Sequence, residues 1–155
     1  MYALAAALAI ASIAAIYATL QGPSAVPALQ PERTAQALAE NLAIYRQATL
    51  DYARVHPGTR GAVPNAQLVF PAWYPGANPL WHNFVLDGTV VAYASAAPPV
   101  NITGEIATLA DGSLFAGFAY RNAVVRPGNA PADGVPLPAG LTIANGMPVW
   151  MGQAY

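Results

Sequence analysis

The chain has 155 residues, of which 55% are hydrophobic and only 8% charged, with six cations, seven anions and a formal net charge of −1. Every cation is an arginine and no basic patch or stripe is present, which sets nucleic acid aside as a partner. Cysteine is absent, so disulfides and thiolate metal sites are excluded, while fifteen prolines and thirteen glycines point to many turns.

Tyr2 to Leu20 passes without a charge and is softened only by Ser12 and Thr19. As a helix it would rise about 28 Å, close to the ~30 Å hydrocarbon thickness of a bilayer. Tyr2 and Tyr17 would then stand at the two headgroup layers. A single-span anchor over residues 1–20 is the favoured reading. A cleaved signal peptide competes with it but lacks a basic n-region. A buried core helix competes too, but would rarely run so long without a polar face. The nearest cation after the span is Arg33, so arginine bias says little about orientation. The short N-terminal tail places the larger part on the translocated, periplasmic side.

Residues 21–30 (QGPSAVPALQ) read as a linker, broken by Gly22-Pro23 and Pro27. Residues 31–155 then form one domain. It begins with an amphipathic helix from Pro31 to Val55, whose apolar stripe is Ala35, Leu38, Leu42, Tyr45, Thr49, Tyr52 and Val55. Pro57-Gly58 ends this helix. A proline-flanked loop follows, in which Trp73 and Tyr74 are expected to cover an edge of the core.

The clearest strand signal is the pair Trp81 to Leu86 and Thr89 to Tyr93, joined by the type I′ turn dipeptide Asp87-Gly88. Residues 104–110 fit a short helix or a turn. Residues 114–120 and 123–126 read as strands joined at Arg121-Asn122, and residues 127–140 as a proline-rich surface loop. Residues 141–143 and 148–151 read as a closing hairpin. One long helix followed by strands at tight turns predicts an α+β fold, with the helix packed on a small antiparallel sheet.

No catalytic, cofactor or metal residues are assigned. His56 and His82 stand 26 positions apart with no carboxylate at ligand spacing. Ser24, Ser95 and Ser113 lie in no nucleophile motif, and no glycine pattern matches a phosphate loop. Asp87, Asp111 and Asp133 each precede glycine, which is turn chemistry. Asn101-Ile102-Thr103 fits the glycosylation triplet, a match that is common by chance. Trp73, Tyr74, Trp81, Phe84, Tyr93, Phe115, Phe118 and Tyr120 read as core filling, with a ligand groove or an interface as the alternative.

Several motifs carry a resemblance. Tyr45-Arg46-Gln47-Ala48, Asp51-Tyr52 and His56-Pro57-Gly58 lead to Phe70-Pro71-Ala72-Trp73 and Trp81-His82-Asn83. Asp87-Gly88 before Val91-Ala92-Tyr93, then Leu137-Pro138 and Asn145-Gly146, complete the set. The chain resembles the PilM family of conjugative-plasmid type IV (thin) pilus systems over almost its whole length. The resemblance implies an inner-membrane component of the pilus basal apparatus or of pilin transport, without enzymatic activity or cofactor. Its expected partners are other pilus assembly proteins or pilin, with homo-oligomers possible. It maps no functional residues onto this sequence, and the actin-like cytoplasmic protein sharing the name carries nucleotide motifs absent here. Two alternatives stand beside it. A pilin-like subunit would have a similar plan, but the basic leader and the early Glu are missing. An exported binding module would remain if residues 1–20 were cleaved.

Overall fold

The computed structural model describes residues 26–155, with side-chain surroundings from residue 30. The expected anchor, and the linker up to residue 25, lie outside the described residues. Among the described residues no helix is long and apolar enough to cross a membrane. Contacts divide the chain after Arg33, and Thr34–Tyr155 form the compact unit considered below.

Helix α1 spans Val26–Val55 with Pro31 inside it. Residues 26–30, expected as linker, are therefore helical. Pro27 and Pro31 are four apart, so the missing Pro31 N–H removes one hydrogen bond, while the fixed φ of both rings suits a helix. After α1, Gly58 adopts φ 93°, the left-handed conformation that ends a helix cheaply.

The buried face of α1 is Ala35, Ala39, Leu42, Tyr45, Ala48, Thr49, Leu50 and Ala53. Four of the expected stripe residues are on it. Leu38 and Tyr52 are half-buried, and Val55 is 74% exposed, because the helix outruns the sheet at that end. The alanines leave space for Trp81 and Trp150, which belong to the same core. Thr49 is wholly buried and satisfies its hydroxyl by donating to the Tyr45 carbonyl.

Strands β1 (Trp81–Leu86) and β2 (Thr89–Ala94) form the expected hairpin. Asp87 and Gly88 take φ 47° and 79°, the paired positive angles of a type I′ turn. A short helix α2 (Thr103–Leu109) settles the ambiguous segment. Strands β3 (Ala116–Tyr120) and β4 (Ala123–Val125) meet at Arg121-Asn122, with φ 46° and 61°. Leu114 and Phe115, expected in the strand, precede it and are exposed. β5 (Val135–Pro136) pairs with β4, so the proline-rich segment is partly structural, and Leu137 is buried.

The closing hairpin is a misreading. Residues 141–143 form no strand; β6 (Pro148–Gln153) instead enters the middle of an antiparallel sheet ordered β1-β2-β6-β3-β4-β5. Leu141 and Ile143 are buried beneath the opposite face, because their side chains fill the space over Val91, Val149 and Met151. One sheet face thus packs on α1 and α2, and the other is covered by residues 135–147.

Gly117 lies buried in β3 where the β4 backbone crosses closely, and a Cβ there would collide with the Val125 carbonyl. Gly117→Ala should therefore lower unfolding stability by about 2 kcal/mol or more in urea titrations. Leu42→Ala, a truncation at a fully buried position, should cost about 2–5 kcal/mol.

Candidate functional site

Two asparagines organise the polar contacts beneath α1. Asn83 is 3% exposed on the helix-facing side of β1. Its Nδ2 donates to the Tyr45 hydroxyl at 2.7 Å and to the Val63 carbonyl at 2.9 Å, and its Oδ1 accepts the Val63 N–H at 2.7 Å. Tyr45 in turn donates to Asn65 Oδ1 at 2.9 Å. Asn41 Oδ1 accepts from the Tyr74 hydroxyl and from Trp81 Nε1, each at 2.7 Å. No buried side-chain polar atom among the described residues lacks a partner. These groups are satisfied by one another and so bind the 59–80 segment to helix and sheet.

The same contacts close the β1 edge. Gly61 exchanges both backbone hydrogen bonds with Val85, at 2.8 and 2.9 Å, and Asn83 holds Val63 beside it. The other edge is the two-residue β5, ending in Pro136. Neither edge presents the long open ladder that strand addition needs.

Two arginines of α1 reach over β6. Arg46 Nε donates to the Met151 carbonyl at 3.0 Å, with its guanidinium 5.0 Å from the Trp150 ring centre. Arg54 Nε donates to the Ala154 carbonyl at 3.2 Å. Gly152 provides the room, since a Cβ there would occupy the place of the Arg46 guanidinium. Burial, then the neighbouring Arg54, pulls the Arg46 pKa below its ordinary value.

The outward side of α1 is paired with itself. Gln36 donates to Glu40, Gln47 to Asp51, and Arg54 forms an ion pair with Asp51 at 2.8 Å. Exposed apolar side chains occur elsewhere: Val55, Val69 (86% exposed) and Trp73 (73% exposed). Val55 and Val69 line a concavity of about 210 Å³ together with Ala48, Tyr52, His56 and Gln67. The Tyr52 and His56 rings stack at 4.2 Å within it. Trp73 stands beyond, carried by Tyr74, whose ring packs 5.1 Å from Phe70. A second concavity, about 380 Å³, lies between Pro98, Val100 and Thr103 on one side and Phe118 and Pro148 on the other.

The aromatic residues divide accordingly. Trp81 and Tyr74 are core, as expected, whereas Trp73 and Phe115 are exposed. Phe84, Tyr93, Phe118 and Tyr120 are half-buried. His82 is exposed on β1 with its ring 5.9 Å from Tyr93, far in the fold from His56 at the end of α1. Among the described residues no group of three or more His, Asp or Glu side chains could hold a metal ion. Sequence reasoning missed Asn41 and Asn83 because neither a helical asparagine nor a polar residue in a strand pattern carries a local sign of its distant partners.

Burial, then the neighbouring Tyr45, pushes the Tyr74 phenol up from 10.0 to about 12, outweighing the Asn41 hydrogen bond that lowers it. The phenols of Tyr45 and Tyr93 are also raised, chiefly by burial. A raised tyrosine pKa favours the neutral form in the folded state, so its contribution is intact below pH 10. It is lost as pH rises towards 12, because the unfolded chain ionises first. Folding stability should thus fall across that range, and Tyr74→Phe should flatten the fall, as read by tyrosinate absorbance alongside circular dichroism.

No curated protein and no solved structure matches the chain significantly. A family model does: that of PilM aligns with residues 8–151, which takes in α1, strands β1 to β5 and all but the last two residues of β6. The chain belongs to the PilM family.

Proposed function

We propose that this protein is a non-enzymatic inner-membrane component of a type IV pilus assembly of the conjugative thin-pilus kind. It acts through contacts with other pilus proteins. The observation that carries this reading is the PilM match over residues 8–151. The uncharged run from Tyr2 to Leu20 supports a single membrane span, with the α+β unit in the periplasm. Contacts with pilus proteins centre, on this reading, on Val55, Val69 and Trp73, since apolar side chains standing in water mark interaction surfaces more often than paired polar ones do. The polar, internally paired outer side of α1 and the closed sheet edges are weaker candidates.

Deleting the gene in its host should abolish pili, or transfer through them, and the wild-type gene should restore them. A V69S/W73A variant should accumulate normally yet fail to restore them, because both side chains are exposed and contribute little to folding. Normal piliation in the deletion strain would sink the pilus reading. Full restoration by the double variant would move the contact surface elsewhere. Alkaline carbonate extraction and intact mass should find a full-length protein in the inner membrane. A shorter soluble periplasmic species would support an exported module instead.

A further inference from the structure

Eight asparagines occur in the chain and Asn145 is the one followed by glycine. Asn-Gly is the dipeptide most open to spontaneous deamidation, because glycine does not shield its own amide nitrogen. Both residues are exposed, at a turn where Gly146 takes φ 85°. Exposure alone would make the site reactive, yet the fold holds both reacting groups. The Gly146 N–H donates to the Ala119 carbonyl at 2.8 Å. The Asn145 Oδ1 accepts the Arg121 N–H at 2.9 Å. The neighbouring Met147 carbonyl accepts from Ala119 at 2.8 Å, so these bonds extend the β3–β6 pairing across the Arg121-Asn122 turn.

We propose that Asn145 is a modification site whose deamidation is gated by this pairing. In the reaction the Gly146 nitrogen attacks Asn145 Cγ, forming the N–Cγ bond of a succinimide. The Cγ–Nδ2 bond breaks, and Nδ2 leaves as ammonia with the proton lost from Gly146. Water then opens the ring at either carbonyl, giving aspartate or isoaspartate. In the folded chain the nucleophilic N–H is committed to Ala119 and the electrophilic amide to Arg121, so attack requires the turn to open. Aspartate keeps an oxygen for Arg121. Isoaspartate adds a methylene to the main chain and moves that oxygen out of register, which releases the turn from β3.

The purified full chain, folded and in parallel unfolded in urea, should be incubated at mildly alkaline pH and followed by intact mass and peptide mapping. The unfolded chain is expected to deamidate first at Asn145, roughly tenfold or more faster than the folded one, the ratio expected of a reaction that waits on local opening. Isoaspartate-bearing protein, generated unfolded and then refolded, should melt below the N145D variant. Equal rates in the two states would overturn the gating. Earlier deamidation at any other asparagine of the unfolded chain would overturn the site. Melting of the isoaspartate form equal to that of N145D would overturn the claimed release from β3.

Discussion

The insertion of β6 between β2 and β3 is the constraint on which the rest of the fold depends. Without it the sheet is two local pieces: the β1–β2 hairpin, and the β3–β4–β5 meander. A two-stranded hairpin is marginal in water on its own, and β5 adds only two residues to the other piece. β6 supplies Trp150 to the core under α1 and Val149 and Met151 to the core on the other face. Arg46 and Arg54 bind the same strand to the helix through the Met151 and Ala154 carbonyls. One six-residue strand therefore ties together both layers and both halves of the sheet, so the unit should fold all or none.

That dependence explains what was legible in the sequence. The hairpins were, because Asp87-Gly88 and Arg121-Asn122 are local turns, the first with residue types that suit its positive φ angles. The body of α1 was too, since Ala35, Leu42, Tyr45 and Thr49 repeat at helical spacing and all are buried. The place of β6 was not. Its partners Thr89 to Tyr93 lie some sixty positions earlier, and nothing in Pro148 to Met151 distinguishes a central strand from half of a hairpin. Trp73 misled for a related reason: an aromatic side chain in a proline-rich loop reads as buried, whereas here Phe70 and Tyr74 do the packing and Trp73 faces water.

The low charge of the chain is answered by amides. The ion pairs Arg54–Asp51 and Arg60–Asp87 are exposed on both partners, and such pairs contribute about 0–1 kcal/mol each. The buried and half-buried polar contacts between side chains run instead through Asn41, Asn83 and the tyrosines. Neutral hydrogen bonds in a core escape the screening that salt imposes on surface charges. They also carry a penalty when half-made, because a lost partner strands a buried donor or acceptor. Asn83 is the extreme case, since it serves the helix, the 59–63 segment and β1 at once.

The same economy of charge constrains how a pilus-family protein of this kind could choose partners. Electrostatic steering requires fields built from clustered charge, and the six arginines and seven acids are scattered, several of them engaged with one another. Along the outward row of α1, Gln36, Gln47 and Arg54 donate to the neighbouring Glu40 and Asp51. The bridge at Gly61 and the two-residue length of β5 leave neither sheet edge a long open ladder for strand addition. On the proposed reading recognition rests on shape and apolar burial, for which Val55, Val69 and Trp73 keep their surface in water. Contacts of that kind gain little from long-range attraction and are slow to find a partner in dilute solution. Confinement to a common membrane would offset that deficit by raising the effective concentration of both partners. On the proposed reading, the apolar N-terminal run would act as the tether that supplies the encounter, and the exposed apolar side chains would supply the selectivity.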